Sequence, residues 1–377
     1  MMIPSPKDAA VHLRNDIRLA TTGLIGREQL AELMVLAAVA QEHLLVIGPP
    51  GTGKSAVVRR VAQALGGRYF EYLLGRFTEP SELFGAVDLR KLRDGTVETD
   101  VTGMLPEAEV AFLDEVFLGS TAILNTLLGI LNERRFRRGH TQLHCPLRIC
   151  VGAANSLPDD EGLAAFGDRF LLHLFVSPVP DHQLEAMLDG GWLADQTPVQ
   201  SQAGLTHLDT LCAAVPGVDV LGVRPVLAHA IRRLRQVGLQ MSDRRIVKAQ
   251  RLIAAAAVLG GRMQATEADI WPLLYALPTE AAQQSARESL GDIFAHATSP
   301  TLFSAAEAAT QQPLSRGPRL AEAAQRCLAV PGDGQRTAIE ALLREIDANY
   351  SEQTLPAELV EWRPQLAAAM SASTTVM

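Results

Sequence analysis

Cysteine is scarce in this 377-residue chain and scattered where it occurs: Cys145, Cys150, Cys212 and Cys327 form no CxxC pair and no Cys/His ligand spacing. A disulfide framework and a structural zinc knuckle are therefore excluded as organising principles, and reduced thiols in a cytosolic protein are expected. Long apolar runs are missing too. Nothing approaches the ~18 uninterrupted apolar residues of a membrane-crossing helix, and the N-terminal MMIPSPKDAAVHLRND has no apolar core of leader length. An excess of basic residues is absent: the formal net charge is −8 and the pI about 5.6, which argues against nonspecific nucleic-acid binding. No internal repeat, heptad run or low-complexity tract stands out. What is present is 47% hydrophobic and 20% charged residues, enough for packed cores and too little charge for wholesale disorder. At ~100–200 residues per domain the length suggests two or three domains.

The most informative stretch is Leu44 to Ser55, LLVIGPPGTGKS. Four apolar residues, Leu44–Ile47, read as a buried parallel strand. They run into Gly48-Pro49-Pro50-Gly51-Thr52-Gly53-Lys54-Ser55, and AVVRRVAQAL beyond has helical periodicity. Strand, glycine-rich turn and helix are the context a phosphate-binding loop requires. Glycines let backbone N–H groups close around phosphate oxygens, and the helix N-terminus adds partial positive charge. Lys54 is placed to reach the β/γ-phosphates and the Ser55 hydroxyl to hold Mg²⁺.

About sixty residues downstream, Val110–Asp114 (VAFLD) reads as another buried strand, ending in the pair Asp114-Glu115. The C-terminal end of such a strand is where an open α/β sheet places its site. Asp114 is expected to assist Mg²⁺ through water and Glu115 to polarise an attacking water. Asn155 closes a later strand, Leu147–Ala153, where its amide can orient that water. Arg169, between a helix and the strand LLHLFV, suits charge stabilisation in phosphoryl transfer, although an arginine is most often a surface ion pair.

Other segments are less specific. Residues 8–20 form an amphipathic helix, and Leu24 and Ile25, in the turn before helix EQLAELMVLAAVAQ, either meet an adenine ring or simply pack. Val87–Val101, with a turn at Asp94-Gly95, reads as a hairpin or excursion. Residues 120–133 form a helix with a core stripe at Ile123, Leu127, Ile130 and Leu131. The basic run Arg134-Arg135-Phe136-Arg137-Arg138-Gly139-His140 reads as a hairpin whose arginines are either solvated or functional. His140 and His144 have no third ligand nearby, so no metal is expected there. Residues 181–190 look helical, 191–222 loop-rich, and 224–237, 242–259 and 266–276 helical. Ser242 is a candidate N-cap, which sets Arg244 in a first turn where its charge opposes the helix dipole. The last hundred residues are alanine-rich and helical, with breaks at 299–301, 311–318 and 330–332 and a fraying tail.

With these residues placed, the chain resembles an AAA+ ATPase of the MoxR family, and is most similar to its RavA-like branch. GPPGTGKS and FLDEVF match the Walker A and Walker B boxes, and SELFGAVDLRKLRDG…ETDVTGMLPEAEVAFLDEVFLGSTAILNTLLGILNERRF carries the branch resemblance. The likeness covers roughly residues 20–277. It implies an α/β fold: an AAA+ P-loop core with a parallel five-stranded sheet between helices (1–180), an all-helical lid (181–277) and a helical C-terminal region (278–377). It further implies that Lys54 and Ser55 bind ATP and Mg²⁺, that Asn155 is sensor 1, and that Arg169 is an arginine finger acting on the neighbouring subunit's ATP. Arg244 matches sensor 2, with Arg245 a close competitor. Residues 85–103 and 134–147 correspond to a helix-2 insert and a pre-sensor-1 hairpin facing a central pore. The family resemblance points to a hexameric, cytoplasmic, chaperone-like machine with a separate von Willebrand factor A domain partner and a protein client, without membrane insertion or nucleic acid. The competing reading is a nucleotide-dependent signalling or defence switch with slow hydrolysis. A small-molecule kinase is disfavoured by the Asp114-Glu115 pair, Asn155 and the helical lid.

Overall fold

Alternation along single strands decides how this chain layers. In β1 (Leu44–Ile47), Leu44 and Val46 enter one apolar core while Leu45 and Ile47 enter another, the two-residue period of a strand buried on both faces. The coordinates, a computed structural model, describe residues 4–372 except 94, 198, 200–202, 311–319, 322–323, 326–327, 329–338, 341, 345, 348–349, 351–354 and 356. The expected breaks at 311–318 and 330–332, the end of the tail and Cys327 lie outside the described residues.

Helices α1 (Pro6–Thr21) and α2 (Glu28–Val39) precede β1. The phosphate loop and α3 (Lys54–Leu65) follow, then β2 (Tyr69–Leu73), α4 (Pro80–Phe84) and α5 (Leu89–Arg93). Next come β3 (Val110–Asp114), α6 (Thr121–Glu133), the antiparallel hairpin β4 (Arg135–Arg138) and β5 (Thr141–His144), and β6 (Ile149–Ala154). Helix α7 (Glu161–Gly167) leads to β7 (Leu172–Phe175). The five long-range strands are parallel in the order β2-β3-β6-β1-β7, so β6 is central and β1 is internal, between β6 and β7. The α/β architecture with a five-stranded parallel sheet is as the family resemblance implies.

One face of the sheet is covered by α4, α6, α7 and the hairpin. The other carries α1–α3. The chain continues with α8 (Leu184–Gln196), α9 (Gly204–Ala214), α10 (Arg224–Gln236), α11 (Asp243–Leu259), α12 (Pro272–Tyr275), α13 (Glu280–Ser289), α14 (Gly291–Phe294) and α15 (Phe303–Thr310). Residues from α1–α3 and α9–α15 share one continuous apolar cluster. A separate small cluster gathers residues between 320 and 366, including the helix Trp362–Ala372.

The loop-rich expectation for 191–222 is corrected. Helix α8 runs through Gly190-Gly191 to Gln196, and α9 occupies 204–214. Gly204 serves close packing, since a Cβ on it would stand 2.7 Å from Ala64 O, as does Gly190 just before this stretch, whose Cβ would stand 2.7 Å from the Gly23 carbonyl oxygen; a Cβ on Gly191 would meet open space. The helix expected over 266–276 is instead one 3-10 turn and the short α12, because Pro272 removes a donor and cannot sit inside a longer helix. The excursion at 87–101 holds the helix α5 as well as a bridge between Val87 and Thr99.

Candidate functional site

The turn after β1 is shaped to leave room for a ligand. Gly51 and Gly53 have φ of 78° and 77°, and a Cβ on either would touch nothing within 4 Å. The cradle is therefore open above them, as phosphate oxygens require. Gly48 is the opposite case: its Cβ would lie 2.1 Å from the Val176 carbonyl oxygen, so only glycine lets the loop leave β1 against the segment after β7. Gly53 caps α3, whose first residue is Lys54. The Lys54 ammonium is buried and donates to Gly48 O (2.6 Å) and Pro49 O (3.0 Å). Burial lowers its pKa, while the Asp114 and Glu115 carboxylates oppose that shift. Ser55 is half-buried one residue on.

Parallel pairing sets Asp114 at the C-terminal end of β3, opposite Leu73 of β2. Glu115 takes a left-handed backbone, φ 49° and ψ 45°, a conformation costing a non-glycine residue roughly 1 kcal/mol and characteristic of functional turns. Its amide donates to Asp114 Oδ1 at 3.0 Å, and Leu118 N closes the turn on its carbonyl at 2.8 Å. Asn155 follows β6, adjacent to β3 in the sheet, and its Nδ2 donates to Glu115 Oε1 at 2.5 Å. The sheet order therefore brings together Lys54, Asp114, Glu115 and Asn155 from three strand ends. The hydroxyl of Ser55 and the carboxylate of Asp114 are hard oxygen donors beside an open cradle, a set suited to Mg²⁺.

Leu24 and Ile25 are half-buried in the turn before α2, Leu24 against the core. That turn is tied to the phosphate loop by a residue the sequence reading missed. Arg27 donates through Nε to Thr52 O (2.7 Å), through Nη2 to Ser177 O (3.0 Å) and through Nη1 to Gly26 O (2.9 Å). One guanidinium thus joins the three segments around the cradle. The only sequence signal was a Gly-Arg step just before a helix.

The remaining arginines stand elsewhere. Gln41–His43 precede β1 and Asp168–Leu171 precede β7, so both mark the edge opposite the phosphate loop, about 13 Å away along a four-residue strand. Arg169 is half-buried there, and its Nε is buried without a hydrogen-bond partner among the described residues. Arg244 is exposed and donates to Asn132 Oδ1 (2.8 Å) at the C-terminal end of α6. Its competitor Arg245 is 4% exposed. It pairs with Asp168 (2.7 Å) and donates to Phe170 O (2.7 Å) and Ala276 O (2.8 Å). Ser242 caps α11 as its position suggests, accepting from Arg245 N. Neither arginine is brought to the phosphate loop of its own chain.

Cys145, Cys150 and Cys212 are free and buried, burial raising each thiol pKa. Among the described residues no group of three His, Cys, Asp or Glu could hold a metal, and no helix is long and apolar enough to cross a membrane.

A family model described as the MoxR domain of MoxR–vWA–β-propeller ternary systems matches residues 11–213, and an AAA lid domain model matches 226–290. Two uncharacterized proteins of Methanocaldococcus jannaschii are 32% and 33% identical over 246 and 245 residues, 65% of this chain in each case. The chain spans 65% and 64% of their lengths. The chaperone MoxR1 of Mycobacterium tuberculosis is 26% identical over 193 residues, half of this chain and 49% of that one. A solved structure from Cytophaga hutchinsonii superposes with a TM-score of 0.59 at 15% identity, covering 78% of this chain and 97% of that one, a likeness of fold.

Proposed function

Because the chain belongs to the MoxR family of AAA+ ATPases, we propose that it hydrolyses ATP at a pocket shared between neighbouring copies in a ring, and uses the cycle to remodel a protein client. The observation that carries this reading is the division of the site residues between two edges of one sheet. Lys54, Asp114, Glu115 and Asn155 stand at the C-terminal strand ends, with Asn155 bonded to Glu115, while Arg169 precedes β7 at the other edge and Arg244 bonds to Asn132 at the end of α6. A head-to-tail contact between copies brings one edge onto the other.

In the proposed reaction Lys54 exchanges the Gly48 and Pro49 carbonyls for β- and γ-phosphate oxygens. Glu115 accepts a hydrogen bond from the attacking water and polarises it, while Asn155 Nδ2 donates to that carboxylate and holds it in place. Arg27 keeps the loop rigid so that its N–H groups stay aimed. The neighbour's Arg169 balances charge developing on the γ-phosphate, and its Arg244 is a second cation from the same edge. Ser55 and Asp114 would hold Mg²⁺, which when bound neutralises phosphate charge. Leu24 and Ile25 are kept as the adenine side of the pocket.

The boundaries 1–180, 181–277 and 278–377, a hexameric ring and a cytoplasmic setting belong to the same proposal. A von Willebrand factor A domain partner is supported by the description of the matched family model, which adds a β-propeller as a further candidate component. The RavA-like placement rests on the insert residues alone.

Subunit mixing tests the shared pocket. Arg169→Ala should bind ATP normally and lose ~10³-fold or more in turnover, and Lys54→Ala should fail to bind. Mixing the two should restore part of the activity, because some seams then pair an intact Lys54 with an intact Arg169. Normal turnover by Arg169→Ala, or no recovery among exchanging subunits, would overturn the shared site.

A further inference from the structure

Three basic residues on one face of α11, Arg244, Lys248 and Arg251, follow the i, i+4, i+7 spacing and reach across to the sheet layer. Each meets an oxygen there. Arg244 Nη2 donates to Asn132 Oδ1 at 2.8 Å, Lys248 pairs with Glu42, and Arg251 donates to Gln41 Oε1. The receiving residues come from the last turn of α6 and from the turn between α2 and β1, where Gln41 has a left-handed φ of 57°. Arg134 braces both: it ends α6 with φ 54° and donates to Leu131 O and, at 3.2 Å, to Gln41 O.

The partners differ in charge, and that difference separates the cations. Lys248 is held by the Glu42 carboxylate, whose side chain is 7% exposed. Arg245 is held by Asp168 at 2.7 Å, one residue before Arg169. Both charges are cancelled at short range where water is partly excluded. Arg244 stands between them in the chain, is exposed, and has no carboxylate within ion-pair distance among the described residues. Its partner is a neutral amide, which engages one guanidinium nitrogen and leaves the charge whole and the other donors available. An arginine needed only to fasten α11 is better served by a carboxylate. Arg251 also meets a neutral oxygen, but two helical turns, about 10 Å, beyond Arg244.

We propose that Asn132 is a positioning residue, which aims Arg244 at the nucleotide of the neighbouring copy while leaving its charge uncancelled. This role rests on the reading of the pocket as shared between copies and extends it to what holds the second cation. Lys248–Glu42 and Arg245–Asp168 fix the helix that roots Arg244, and Asn132 fixes its end. An arriving γ-phosphate then meets a preorganised cation that gives up no carboxylate to receive it.

Two substitutions of similar size separate aiming from fastening. Asn132→Asp keeps shape and acceptor but adds a negative charge, so it should hold Arg244 at least as firmly and cancel its charge. Asn132→Leu keeps bulk and removes the acceptor. In both, kcat should fall about tenfold or more with the KM for ATP little changed, since the lost interaction belongs to the transition state. Urea midpoints should stay at the wild-type value. In an Arg244→Ala background neither change should lower turnover further. Mixing Asn132→Asp subunits with Lys54→Ala subunits should recover part of the activity, because some seams then pair an intact Lys54 with an Arg244 held by Asn132. Wild-type turnover by Asn132→Asp, or a further loss in the double variants, would overturn the assignment. Recovery in mixtures with Arg169→Ala but not with Asn132→Asp sinks this inference alone. Recovery with neither sinks the shared pocket and this inference with it.

Discussion

Replacing Arg245 by Met should unfasten the helical layer from the edge of the sheet that carries Arg169. The guanidinium is 4% exposed, pairs with Asp168 at 2.7 Å, and donates to the carbonyls of Phe170 (2.7 Å), Ala276 (2.8 Å) and Leu171 (3.4 Å). Burial lowers its pKa and the nearby Asp168 carboxylate opposes that shift, so the pair holds a charge where charge is otherwise costly. Methionine fills much of the volume but offers no donor. Two short carbonyl contacts lose their partners at ~1–3 kcal/mol each. Asp168 is 40% exposed on its side chain, so water recovers part of its loss. A net destabilisation of about 3–5 kcal/mol follows, within the usual range for breaking a buried pair. Turnover should fall as well, because an unpaired Asp168 can capture the adjacent Arg169. Urea unfolding followed by circular dichroism reads the stability, with Arg244→Ala as the control. Arg244 is exposed with one side-chain hydrogen bond, and its loss should cost no more than about 1 kcal/mol. The reasoning fails if Arg245→Met costs under about 1 kcal/mol, or if Arg244→Ala costs as much.

Two further outcomes can be read directly. Glu32 is buried on α2 and accepts from Ser304 N (3.2 Å) and Ala305 N (2.7 Å) at the start of α15, yet burial pushes its carboxyl up to about 7. The folded state therefore holds the proton more tightly than the unfolded state does. Stability from this group is complete below the ordinary carboxylate pKa and is lost as pH rises through 7. Glu32→Gln should remove that dependence, shifting its stability relative to wild type by about 3 kcal/mol between roughly pH 5 and pH 8; parallel pH profiles would refute it. Gly48→Ala should destabilise the free fold more than Gly51→Ala, because the first Cβ strikes a backbone carbonyl at 2.1 Å and the second meets open space and bears only the strain of its φ of 78°. Equal losses of stability in urea unfolding would show that the loop is not held as tightly as the contact implies.

Much of the site was legible in the chain because its chemistry is local. Leu44–Ser55 places strand, turn and helix within twelve consecutive residues, and the left-handed positions fall on glycines. Asp114 and Glu115 end a strand whose apolar run is unbroken, and the helix cap at Ser242 is a matter of three residues. Periodicity failed where glycine was read as a breaker. Gly204 opens a helix where the Ala64 and Leu65 backbone passes too close for a side chain, and that neighbour is invisible from the local pattern.

Tertiary structure alone decided which of these residues meet. The order β2-β3-β6-β1-β7 sets Asn155 beside Glu115 although forty positions separate them, because parallel strands must be joined by crossovers and neighbours in the sheet need not be neighbours in the chain. Arg27 acquired its role only when three segments converged on one guanidinium. Arg244 and Arg245, adjacent and chemically alike, were separated by the helix turn between them: one faces solvent and Asn132, the other is locked against Asp168. A residue's chemistry is written in its side chain, but its partner is chosen by packing, which sums contacts from the whole chain.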